Sequence, residues 1–319
     1  MNPTSTASPS PPRPDDRTFY GPRGRSAGLD VDWREHQRWV VLDGGQPINV
    51  VELGEGPPLV FIHGLVGRWT HWVEQLTAFA AGRSSIGHRV IALDLPGFGD
   101  SPLPARGGIS VPIYARTVAR LMEALELSAA AFVGQSMGGF TAIELAIAFP
   151  ELVERLVLVS PAGLSTYMHP RDVMTLKQIR RLSRVVAAAQ ALVAANGELL
   201  ARRPRLRRFE PVTNLVTRYP DRIPGPYVFE FTQGLAPPGF VEGMAANQDY
   251  DYRDRLGEVA CPTLIVWGDR DKVVTSKDAA EYERLIPNAR KVIFADTGHM
   301  TMIERPAAFN ALLEEFLSE

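Results

Sequence analysis

The chain has 319 residues, 45% of them hydrophobic and 22% charged, enough for one large globular domain or two modest ones. A formal net charge of -2 supplies no overall positive field for phosphate, which excludes a general nucleic-acid binder and points to a small partner. The single cysteine, Cys261, excludes an intramolecular disulfide and leaves no Cys/His cluster spaced for structural zinc.

Residues 1–30 are rich in Pro, Ser, Gly and Arg without apolar periodicity, and they read as a disordered leader. The opening MNPTSTASPSPPRPDDR has neither the basic n-region nor the apolar h-region of a signal peptide, and no later stretch reaches the ~18 apolar residues of a membrane span. A cytoplasmic protein is expected. Order begins near Trp33, where β-rich runs at 39–42, 48–53 and 59–62 are separated by Gly/Pro turns.

Further on, VIALD (90–94), AAFVG (130–134), RLVLVS (155–160), TLIVWG (263–268) and KVIFA (291–295) are short, almost continuous apolar runs. Strands buried on both faces of a parallel sheet read this way. Helical spacing fills the gaps, as in Val118, Leu121, Met122 and Leu125, or Phe140, Ile143 and Ile147 before Pro150. The alternation predicts an α/β domain, a mostly parallel sheet with helices on both faces.

Between Val159 and Thr263 that rhythm stops. Residues 170–203 have a helical pattern, and 219–243 are broken by Pro220, Pro224, Pro226, Pro237 and Pro238. The organisation expected is a leader at 1–30, a core at 31–163 and 250–319, and a helical cap at 164–249 over the carboxyl edge of the sheet.

Gly134-Gln135-Ser136-Met137-Gly138 follows a strand and opens a helix, the setting in which G-x-S-x-G becomes a nucleophile elbow. Small residues two positions either side of Ser136 let strand and helix approach around a strained apex. A serine hydroxyl needs a base, normally a histidine oriented by a carboxylate. Of the six histidines, His299 lies in a loop after a late strand; His36 and His88 read as solvated or capping residues. The acid comes from GDRD, with Asp271 preferred and Asp269 left to organise the turn.

The segment His63-Gly64-Leu65-Val66-Gly67 ends a strand, so the backbone N–H groups of Leu65 and Met137 are expected to form an oxyanion hole, with His63 ordering the loop. Trp72 reads as core, while Trp69 and His169 are candidates for the substrate pocket. No phosphate loop or metal cluster occurs, and Gly97-Phe98-Gly99 lacks the third glycine of a dinucleotide fingerprint, so neither cofactor nor metal is expected.

LVFIHG, DLPGFGDS, VGQSMGG, WGDRD and TGH stand in the order of the α/β-hydrolase fold superfamily, which this chain resembles over most of 35–163 and 250–319. The resemblance implies about eight strands with a cap inserted after the sixth, and the serine places the chain in the esterase-like branch. It implies hydrolysis of a carboxylic ester through an acyl-enzyme. The alternatives are a C–C hydrolase of ring-cleavage products, whose carboxylate would call for an arginine in the pocket, an acyl-carrier-protein ester hydrolase, or a ligand-sensing receptor on the same fold. Eleven Arg and one Lys against four acids between 171 and 222 mark a solvated face or a docking surface for an acidic partner.

Overall fold

The computed structural model describes residue 28 and residues 31–80, 87–104, 108–166, 188–189, 191–235 and 237–319. Of the expected leader only Gly28 is described; His169 and the basic residues from Arg171 to Arg184 also lie outside the described residues.

Eight strands make one sheet: β1 (Gln37–Leu42), β2 (Gln46–Leu53), β3 (Pro58–Ile62), β4 (Arg89–Leu93), β5 (Ala130–Gln135), β6 (Val153–Val159), β7 (Thr263–Gly268) and β8 (Ala289–Phe294). Their spatial order is β1-β2-β4-β3-β5-β6-β7-β8. The pairs β1/β2 and β2/β4 are antiparallel and the rest are parallel.

The helices are α1 (Val73–Phe79), α2 (Val111–Ala124), α3 (Met137–Ala148), α4 (Gly197–Arg202), α5 (Pro204–Arg207), α6 (Pro211–Val216), α7 (Gly225–Gln233), α8 (Phe240–Asp249), α9 (Asp278–Leu285), α10 (Thr301–Glu304) and α11 (Pro306–Ser318). Side chains alternate across each strand, so Val60, Ile62, Phe132, Leu156 and Leu158 pack with α2, α3 and α9. On the other face Leu59, Phe61, Val133, Val157 and Val159 pack with α1 and α11. Helices therefore cover both faces, which is why the central strands are apolar without alternation.

The helices α4 to α8 lie between β6 and β7 as an inserted segment. The prolines of 219–243 fall at the ends of its helices: Pro224 precedes α7, Pro237 and Pro238 lie between α7 and α8, and Pro226 sits in the first turn of α7, where its missing N–H costs no intrahelical bond. Pro204 and Pro211 begin α5 and α6 in the same way.

Much of the arginine in this segment is used internally. Arg207 is 1% exposed, and its guanidinium donates to the carbonyls of Leu200, Ala201, Pro220 and Ile223. Arg202 pairs with Glu198, Arg208 with Asp221, and Arg218 with Asp296. This arrangement gives the expected acidic partner no support. His88 is buried against Phe79, with ring centroids 6.0 Å apart, rather than solvated, because its N–H bonds Phe79 O at 3.0 Å and its backbone pairs with Ala80 at the end of α1. Among the described residues no helix is long and apolar enough to cross a membrane.

Candidate active site

The chain turns from β5 into α3 at Ser136, whose φ of 53° and ψ of −118° are strained for any residue but glycine. Three backbone bonds hold it there: Ser136 N–H to Val159 O at 2.9 Å, and its carbonyl to the N–H groups of Phe140 and Ala162 at 3.0 Å each. The flanking glycines are steric requirements. A Cβ on Gly134 would strike the Gly138 carbonyl, and one on Gly138 would strike the carbonyls of Ile62 and His63. Met137 is the first residue of α3, a position whose N–H has no intrahelical acceptor.

His63 fixes the loop that follows β3. Its Nε2 accepts the Leu95 N–H at 3.0 Å, so the proton is on Nδ1, which donates to Gly64 O at 2.7 Å. Burial lowers its pKa to about 4, which keeps the ring neutral. Asp94 ties the same region together from the end of β4. It accepts from Asn49 Nδ2 at 2.8 Å, Trp69 N–H at 2.8 Å and Asp100 N–H at 2.9 Å. Burial raises its pKa to about 6 against those bonds.

Asp271 leaves β7 and meets His299 from the loop after β8, with Oδ2 2.7 Å from Nδ1. The carboxylate is pinned by the N–H groups of Val273 (2.8 Å) and Val274 (3.0 Å) and by Trp267 Nε1 (3.0 Å). Burial pushes its pKa up, but the imidazole and the amides outweigh this and hold it below the ordinary carboxylate value. Asp271 Oδ2 accepts the hydrogen bond of Nδ1–H, which fixes the tautomer of His299 that carries its lone pair on Nε2. Asp269 accepts from Thr297 N–H at 3.3 Å and organises the turn.

Ser136, His299 and Leu65 line one cavity of about 420 Å³, roofed by Val212, Leu215, Phe231, Phe240 and Met244 of the inserted segment. No Arg or Lys is among its described lining residues. Such a site suits an uncharged substrate with apolar groups, with a hydroxyl and an imidazole lining the same cavity.

Trp69 is not in this cavity; it lines another, of about 830 Å³, with Trp33, Tyr227 and Phe229, its ring centroid 5.4 Å from that of Trp33. The aromatic from that stretch that lines the Ser136 cavity is His71, which stacks on Phe231 at 5.5 Å. Both ring nitrogens of His71 are buried without a hydrogen-bond partner among the described residues, and burial lowers its pKa to about 3. The sequence carries no signal for this, since His71 reads as one more polar residue before Trp72.

Glu304 was also missed. Fully buried, it accepts Gly298 N–H at 2.9 Å and Arg218 N–H at 2.8 Å, while Val216 O accepts the N–H groups of His299 (3.0 Å) and Met300 (3.2 Å). The His299 loop is thereby fastened to the inserted segment. Among the described residues no cluster of three His, Cys, Asp or Glu is placed to hold a metal ion.

A family model described as alpha/beta hydrolase fold matches residues 57–306. The chain is 31% identical to the 2-hydroxymuconate semialdehyde hydrolase of Pseudomonas putida, over 88% of this chain and 93% of that one. It is 32% identical to the dihydrolipoyllysine-residue acetyltransferase component of the acetoin cleaving system of Cupriavidus necator, over 83% of this chain but only 64% of that protein. Among solved structures, the meta-cleavage product hydrolase of Pseudomonas fluorescens superposes with a TM-score of 0.60 at 26% identity, covering 89% of this chain and 98% of that one.

Proposed function

Because this chain belongs to the α/β-hydrolase fold family, a family of hydrolases, we propose that it is a serine hydrolase that cleaves carboxylic esters through an acyl-enzyme. In this reading His299 Nε2 takes the Ser136 proton as Oγ attacks the ester carbonyl, and the Leu65 and Met137 amides receive the oxyanion. The imidazolium, stabilised by Asp271, then protonates the leaving alcohol. Water repeats the sequence to release the acid, and Ser136 is regenerated. The observation that carries the ester reading is the apolar cavity at Ser136 with no Arg or Lys among its described lining residues.

A second reading, hydrolysis of a C–C bond by the same residues, is supported by the similarity to the semialdehyde and meta-cleavage product hydrolases. A dienoate carboxylate buried in that cavity would lack a cationic partner among the described residues, and an unpaired buried charge is costly. The test is a panel of p-nitrophenyl esters from acetyl to dodecanoyl beside a ring-cleavage dienoate, with fluorophosphonate labelling followed by mass spectrometry of the Ser136 peptide. Ester turnover and labelling lost in Ser136→Ala are expected; turnover of the dienoate alone would establish the second reading, and no labelling would point to a ligand-sensing protein.

A further inference from the structure

The mouth of the Ser136 cavity is framed by apolar side chains that stand in solvent. Leu215 and Val273 line the cavity yet are 48% and 41% exposed, so they form its rim. Lys272 Nζ donates to Asn214 O at 3.2 Å, which joins the loop after β7 to α6 and makes the two rim residues neighbours. Just before α6, Phe209 is 85% exposed in a turn whose N–H bonds Leu206 O at 3.0 Å, and Leu206 is exposed as well. Ten large apolar side chains are exposed among the described residues, and six of them belong to the inserted segment. Four of the ten, Leu206, Phe209, Leu215 and Val273, belong to the stretch 206–215 or to the loop after β7 that Lys272 ties to it, which makes this the part of the described surface with an apolar group of the kind an interaction face uses.

Cations accompany it. Arg203, Arg205 and Lys272 are exposed, and neither arginine has an ion pair among the described residues. Protruding apolar side chains among unpaired Lys and Arg are the chemistry of a peripheral contact with anionic lipid: the apolar groups enter the acyl boundary and the cations meet the headgroups. A protein seated on this rim would plug the cavity. A lipid surface would instead let an apolar ester pass into it without crossing water.

We infer that the face formed by Leu206, Phe209, Leu215 and Val273, with Arg203, Arg205 and Lys272 beside them, docks on an anionic lipid surface so that the Ser136 cavity opens against it. The link to substrate entry rests on the hydrolase reading; the docking itself does not.

The experiment is flotation of the full chain with vesicles of phosphatidylcholine alone or with about 30% phosphatidylglycerol. Binding to the anionic vesicles is expected, weakened as salt rises from about 0.1 M to about 0.5 M. It should fall roughly tenfold or more in Phe209→Asp and in the double variant Arg203→Glu with Arg205→Glu, each checked for an unchanged melting temperature. Ser136→Ala should float like the parent. No flotation, equal flotation with both vesicles, or undiminished flotation of both surface variants would overturn the inference, as would capture of an acidic protein with no vesicle binding. A chain that floats but turns over no ester would instead overturn the hydrolase reading and leave the docking intact.

Discussion

Glu304 accepts the backbone N–H of Gly298 at 2.9 Å, so a buried carboxylate holds the residue that precedes His299. Burial pushes its pKa from 4.5 to about 8, against the Arg218 and Gly298 amides and Arg305. A raised folded pKa stabilises fully below the unfolded value and the contribution is lost as pH rises towards 8. Glu304→Gln should flatten the fall in stability between pH 5 and 8, by up to about 1 kcal/mol per pH unit. Thermal melts across that range measure it; equal slopes in both proteins would contradict the account.

The two buried histidines act with the opposite sign. Their folded pKa values are depressed to about 4 for His63 and about 3 for His71, so each contributes stability above pH 6.5 that is lost as pH falls. Asp94 and Glu304 gain in the same acid range, and the whole-protein curve therefore sums opposing terms. Differences between variants separate them: His71→Leu should be more stable than the parent at pH 5, with the gap narrowing at pH 8. Removing two unpartnered nitrogens should leave a residual gain of about 1 kcal/mol there. A destabilised variant at pH 5 would mean that His71 has a partner.

At Ser136 the backbone strain and the proposed chemistry can be separated. Ser136→Gly should raise stability by about 1 kcal/mol, since glycine adopts that φ without penalty, while ester turnover disappears. Ser136→Ala should lose turnover without the gain. Calorimetry of the three proteins decides; a destabilised glycine variant would show that the turn is not strained in solution.

The two acids of the WGDRD loop should behave differently. With Asp271→Asn, His299 loses the acceptor that fixes its tautomer, and kcat should fall about 10⁴-fold. Asp269→Asn loses one long bond to Thr297 and should change kcat less than about tenfold. Steady-state rates on one ester suffice, and reversed magnitudes would move the acid to Asp269.

The core was legible because its strands are buried on both faces: Val157 and Leu158 face opposite helix layers, so the run RLVLVS is apolar throughout. Gly134 and Gly138 were legible because a strand-to-helix bend admits no side chain there. The inserted segment was harder to read, since α4, α5 and α6 are too short to show a periodicity. Glu304 and Trp69 were opaque for another reason. Glu304 bonds Arg218, 86 residues away, and Trp69 turns towards Trp33 and the 3₁₀ turn that carries it, relationships that local pattern does not encode.

The carbonyl of Val216 receives the amides of both His299 and Met300. A chimera that exchanged the inserted segment for a relative's would therefore replace part of the scaffold of the His299 loop along with the pocket roof. Grafts that retain 216–218 keep those bonds and the Arg218 contact to Glu304, and they set a natural boundary for recombination. In this protein Val216 and Arg218, from the segment that shapes the pocket, are also part of the support of the loop that carries the histidine.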